Sequence, residues 1–136
     1  MKSHIEAKGV YVIAPTPFTP DGAIDDASID RMTDFFLKAG VDGLTVLGQL
    51  GEAPKMTHAE SVGIVKRVIA RAKVPIVVGV SAPGFAAMRA LTQDAMALGA
   101  AGVNAAAGLR IVSEAMIPRR IITYLRTASP GPGCCS

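Results

Sequence analysis

Tryptophan is absent from this 136-residue chain, aromatic residues make up only 4% of it, and its two cysteines, Cys134 and Cys135, stand side by side. Adjacent thiols supply neither a disulfide framework nor the spaced ligands of a metal site, so a reducing compartment, the cytoplasm, is the expected location. No run of about 18 uninterrupted apolar residues occurs, and no membrane partner is expected. The opening stretch, MKSHIEAKGV, lacks the apolar core of a signal peptide. A net charge of +3 is modest, and the basic residues are scattered instead of forming a stripe, which leaves nucleic-acid binding without support. What is abundant is aliphatic: half of the residues are hydrophobic, and alanine and valine account for much of a mean hydropathy of +0.39. That is enough apolar material for one ordinary domain.

The most informative segment is residues 42–60, DGLTVLGQLGEAPKMTHAE. It begins as a buried strand over residues 43–47, with Leu44, Val46 and Leu47 supplying apolar side chains. It breaks into a glycine-bracketed turn, Gly48-Gln49-Leu50-Gly51-Glu52. After Pro54 a helix opens with a capping box, in which Thr57 bonds the amide of Glu60 while Glu60 reaches back. Strand, turn and capped helix make a βα unit whose loop lies at the carboxyl end of the strand, the end at which α/β proteins bind ligands. Glycines at 48 and 51 let backbone amides approach a small anion, and position 51 is expected to need positive φ.

The unit repeats. Strand-like apolar runs begin near Val10, Gly43, Ile76 and Gly102, at intervals of 33, 33 and 26 residues. A barrel of eight such units in about 250 residues averages roughly 31 per unit. Asp25 is placed to cap a first helix that carries Ile29, Met32, Phe36 and Ala39 on one face. Gly40 stands where a left-handed C-terminal cap is wanted, and Gly99 repeats it after the third helix. The second helix puts Val65, Val68, Ile69 and Ala72 on one side, and the third does the same with Met88, Leu91, Thr92 and Ala95. Residues 75–80 are a continuous apolar run, as a parallel strand buried on both faces requires. The expected fold class is α/β: four parallel (β/α) units, about half of a closed barrel, with an irregular C-terminal tail.

The expected organisation is a leader over residues 1–8, the half-barrel over 9–103, and a poor strand ending with a last helix over 104–128. A low-complexity tail, SPGPGCCS, follows over 129–136. Pro118 forces any helix at 117–128 to start there. Such a tail is what a fragment or a reading-frame error leaves.

Strand, Gly-x-x-Gly-Glu, Ala53-Pro54 and the Thr57–Glu60 box together resemble the dihydrodipicolinate synthase / N-acetylneuraminate lyase family. The opening GVYVIAPTPF, with Thr16-Pro17-Phe18, is similar to that family's first strand and turn, and Asp21-Gly22 through Ile24-Asp25 to the approach to its first helix. The resemblance covers residues 9–103 and implies the N-terminal half of a (β/α)8-barrel class I aldolase that handles pyruvate. It further implies that Gly48, Gln49, Leu50 and Gly51 hold the carboxylate of a small 2-oxo acid such as pyruvate, through the amides at 49 and 50 above all, with Thr16 nearby. Gln49 and Leu50 stand where the family carries two threonines, one of which serves a proton relay, and residues 105–107 replace its tyrosine loop. These departures suit a divergent aldolase branch, not the lysine-biosynthesis enzyme. Leu50 also leaves little polar surface for a hydroxylated substrate.

The family's Schiff-base lysine projects from a sixth strand and its relay tyrosine from a fifth, which four units do not reach. Lys38, Lys66 and Lys73 fall toward the wrong ends of helices, and Lys55 lies on the correct face but in a solvated loop. No catalytic residue, no metal site and no cofactor is therefore expected, and the chain as written is expected to lack aldolase activity. Glu52 reads as a loop anchor, His58 as exposed without an evident partner, and Tyr124 as a packing residue; Thr16, before a proline, reads as extended loop support. Three functions compete: a pyruvate-type aldolase that continues past residue 136, a noncatalytic half-barrel that binds a carboxylate or itself, and another anion-binding barrel fragment. Open edges on the first and fourth strands favour a homo-oligomer, in which two copies close a barrel by two-fold symmetry.

Overall fold

The computed structural model describes residues 8–105. The leader up to residue 7 and the segment from residue 106 onward, with Tyr124, Cys134 and Cys135, lie outside the described residues. Four strands, β1 (Tyr11–Ile13), β2 (Gly43–Val46), β3 (Ile76–Gly79) and β4 (Gly102–Asn104), form one sheet in the order of the sequence. Every neighbouring pair is parallel. Three helices connect them: α1 (Asp26–Lys38), α2 (His58–Arg71) and α3 (Phe85–Ala97). Parallel strands joined through helices put all three βα loops at the carboxyl edge of the sheet, which is where the glycine turn sits.

The register divides the side chains between two faces. Val12, Leu44 and Ile76 form one row, and Val46, Val78 and Val103 the next. These rows belong to the helix-side core, with Ile29, Ile64, Val65, Val68 and Leu91 packed against them. Strand alternation sends Ile13, Thr45, Val77 and Gly102, which are also in register across all four strands, to the opposite face. Val77 is buried yet stands apart from the helix-side core, as that alternation requires.

Local chemistry sets the helix ends. The Asp25 carboxylate accepts from the Ser28 amide at 2.9 Å and caps α1. Thr57 and Glu60 complete the capping box of α2: the Thr57 amide donates to Glu60 Oε2 at 2.7 Å and the Glu60 amide to Thr57 Oγ1 at 3.3 Å. Gly40 and Gly99 adopt φ of +78° and +101° after α1 and α3, the left-handed caps expected of them. Met88, Leu91, Thr92 and Ala95 are the buried residues of α3, as their spacing indicates. On α1 the expected face needs correction: Ala39 is exposed, and Thr33 takes a buried place beside Ile29. Its hydroxyl donates to the Ile29 carbonyl at 2.8 Å, which satisfies the polar group and lets it enter the core.

Ion pairs then fix how α1 lies along α2. Arg67 grips Asp30 with two bonds of 2.8 Å, and one turn on Arg71 grips Asp34 with two of 2.7 Å. Arg67 also reaches Asp26 at 3.2 Å, so one row of three aspartates on α1 faces two arginines on α2. The hydrogen bonds from Arg67 and Arg71 hold Asp30 and Asp34 below the usual aspartate range. Each exposed pair adds little alone, but paired guanidinium forks specify the stagger of the helices. On the other side of α2, His58 Nε2 lies 2.7 Å from Asp94 Oδ2 of α3. His58 is exposed, as expected, but it does have a partner, because the packing of α3 brings Asp94 across.

Candidate functional site: the glycine turn at the carboxyl edge

The turn at residues 47–52 is built by two left-handed residues, neither of them the glycine expected to be. Leu47 has φ of 56° and Glu52 of 53°, whereas Gly51 is not in the left-handed region. β2 stops at Val46 for this reason: Leu47 turns its backbone out of the ladder while its side chain stays in the core. Gly51 is needed for space instead. A Cβ there would stand 2.9 Å from the Leu47 nitrogen and 3.2 Å from the Gly48 nitrogen, so the end of the turn closes on its own start. The Glu52 amide donates to the Gln49 carbonyl at 3.1 Å and completes the reversal.

The loop after β1 braces this turn. It folds back on itself through a Phe18–Ile24 bridge and a Thr19 amide to Ala23 carbonyl bond of 2.8 Å. Thr16 thereby meets the turn and donates its hydroxyl to the Gly51 carbonyl at 2.6 Å. All five sequence-derived site residues, Gly48, Gln49, Leu50, Gly51 and Thr16, are thus gathered at one place on the carboxyl edge. Thr16 spends its proton on the loop. Among the described residues, the amides of Gly48, Gln49, Leu50 and Gly51 donate to no backbone or side-chain acceptor, while those of Thr57 and Glu60 just beyond are satisfied.

Two apolar side chains border these amides. Leu50 is 59% exposed, and Ile13 is 53% exposed on β1. A Cβ on Gly48 would lie 3.6 Å from Ile13 Cγ2, so Ile13 flanks the turn directly. Glu52 and Lys55 pair with each other at 2.5 Å across one turn, which agrees with the anchoring role of the carboxylate. Among the described residues, no group of three His, Cys, Asp or Glu side chains could hold a metal ion. Nor is any described helix long and apolar enough to cross a membrane.

Sequence reasoning missed Ile13, Leu47 and Gly79 as neighbours of the site. Gly79 had a readable signal, a glycine closing an otherwise β-branched strand, which marks close backbone approach. Leu47 had none, since nothing in a leucine announces a left-handed backbone.

A parallel sheet in sequence order, helices on one face and a glycine turn at the carboxyl edge define consecutive units of a (β/α)8 barrel, of which the chain covers part. The chain belongs to the dihydrodipicolinate synthetase family, whose model matches residues 6–107. It is 35% identical over 104 residues to 4-hydroxy-tetrahydrodipicolinate synthase of Sorangium cellulosum, covering 74% of this chain and 35% of that protein. The solved dihydrodipicolinate synthase of Rhodopseudomonas palustris superposes with a TM-score of 0.73 at 52% identity, over 90% of this chain and 40% of that one. The chloride-inhibited enzyme of Acinetobacter baumannii, solved with pyruvate, gives a TM-score of 0.68 at 27% identity, over 71% and 34%. The chain thus spans about a third to two-fifths of the length of the relatives it matches.

Proposed function

We propose that residues 48–51 hold the carboxylate of a small 2-oxo acid, pyruvate in the simplest case, and that the chain is part of a class I aldolase or lyase of this family. The observation that carries the reading is the set of four amides at the carboxyl edge that donate to no acceptor among the described residues. Oriented N–H groups at a tight turn are an anion site, and two glycines leave the backbone approachable. The exposed apolar side chains of Ile13 and Leu50 suit a ligand whose remainder is a methyl or short alkyl group and disfavour a polyhydroxylated one.

Lys55, the described lysine on this rim, is paired with Glu52 and is not assigned the role of Schiff-base lysine. The chain alone is therefore expected to bind a 2-oxo acid without forming a covalent adduct. The second reading, a half-barrel that binds a carboxylate or pairs with itself, draws on β1, which among the described residues has β2 as its one partner and exposes Ile13 at that edge. A cytoplasmic homo-oligomer is the setting we favour. Calorimetric titration with pyruvate tests the carboxylate reading: saturable binding is expected, lost in Gly51→Val. That substitution fails sterically, because its side chain would enter the Leu47 backbone. Binding unchanged in Gly51→Val would reject the reading. Borohydride reduction with pyruvate, read by intact mass, tests the lysine assignment, and a stoichiometric adduct on any lysine would overturn it.

A further inference from the structure

We infer that Gly79 and Thr16 are the positioning residues of the glycine turn, holding its amides in their binding arrangement before any ligand arrives. Val46 and Val78 are the last register pair of β2 and β3, and the next would be Leu47 with Gly79. Instead Leu47 turns left-handed, and the chain crosses directly over β3. A Cβ on Gly79 would lie 2.1 Å from the Leu47 carbonyl oxygen, 2.6 Å from its carbonyl carbon and 2.9 Å from the Gly48 nitrogen. All three are backbone atoms, so no rotamer change makes room. The turn rests on bare backbone at Gly79, and the Thr16 hydroxyl clasps its far end at the Gly51 carbonyl. The buried Leu47 side chain ties the near end to the core.

A turn held from below, from the side and through the core has little conformational freedom left to lose on binding. Alanine at 79 must displace Leu47 and Gly48 by roughly an ångström, a misplacement that costs an oriented site tenfold or more. Thr16→Val removes the clasp at nearly constant volume, and the loss of one hydrogen bond predicts about a three- to tenfold effect. Thr16→Ser keeps the hydroxyl. Gly63→Ala, on the exposed side of α2 with open space around it, serves as the control.

The binding arm of this inference rests on the carboxylate reading, and the ligand-free arm does not. Backbone amide resonances of residues 48–51 are recorded first without ligand, then pyruvate affinity is measured by calorimetry on the same chains. Gly79→Ala and Thr16→Val are expected to shift the four turn amides while those of residues 43–45 and 76–77, farther from the substitutions, stay in place, and to weaken pyruvate binding as stated. Thr16→Ser is expected to restore both, and Gly63→Ala to change neither. Unmoved turn amides in folded Gly79→Ala, or affinity within twofold of the parent, would overturn the inference. Should Gly79→Ala not fold, the Thr16 pair decides alone: identical turn resonances in Thr16→Val and Thr16→Ser refute it. If the parent chain ignores pyruvate while the amides shift as expected, the carboxylate reading falls and the positioning role stands.

Discussion

Leu47 and Glu52 both have positive φ, 56° and 53°, yet replacing each by glycine should have different consequences. Holding a side-chain-bearing residue in the left-handed region costs about 1–2 kcal/mol, which glycine removes. Glycine gives back about 0.5–1 kcal/mol through the larger freedom of the unfolded chain. At position 47 that small net gain is opposed by the loss of a side chain only 1% exposed. Truncating a buried leucine costs about 3–5 kcal/mol, so Leu47→Gly should destabilise by roughly 2–4 kcal/mol. At position 52 the side chain is partly exposed and what is lost is a surface pair with Lys55, worth about 0–1 kcal/mol. Glu52→Gly should therefore leave stability within about 1 kcal/mol of the parent. Urea unfolding followed by far-ultraviolet circular dichroism, with the slope held common, measures both. Equal losses in the two variants would show that backbone strain, not burial of Leu47, governs the turn.

Three further outcomes are expected. Thr57→Ala should cost about 1 kcal/mol in the same assay, and Thr57→Ser a fraction of that, because the capping box needs a hydroxyl and not a methyl. Asp30 and Asp34 titrate below their unfolded values, so the folded state binds fewer protons than the unfolded one as the pH falls past about 4. Their stabilising contribution is present above the unfolded aspartate value and is lost as pH drops through the lowered folded values. Acid melts of Asp30→Asn and Asp34→Asn should flatten that decline, and a parallel decline would reject the assignment. Ile29→Ala should destabilise by about 2–5 kcal/mol, since Ile29 is one of two buried residues on α1, and a loss below about 1 kcal/mol would show that α1 docks mainly through its ion pairs.

The parts of the fold that depend on near neighbours were legible in the sequence. The Thr57–Glu60 box spans three residues, the Asp25 cap likewise, and the buried stripe of α3 follows from its own spacing. Parallel α/β units followed from the recurrence of apolar runs, and the placing of Thr16 beside the glycine turn from their both lying at carboxyl ends of strands. What escaped notice depends on packing between distant segments. Arg67 and Arg71 meet aspartates 37 residues away, and His58 meets Asp94 at a separation of 36, pairings that only the stagger of the helices decides. The left-handed residues of the turn were misplaced for a related reason. Glycine adopts positive φ most cheaply, which makes Gly51 the natural candidate in the sequence, whereas the fold uses Gly51 and Gly79 to let backbone touch backbone.

The central question is whether the amides of residues 48–51 recognise a carboxylate. Titrating the isotopically labelled chain with pyruvate, and in parallel with its methyl ester, isolates that group from the rest of the ligand. Saturable amide shifts centred on Gly48, Gln49, Leu50 and Gly51 with pyruvate, and none with the ester, are the predicted result. Shifts that follow the ester equally, that fall elsewhere in the chain, or that never saturate would contradict it.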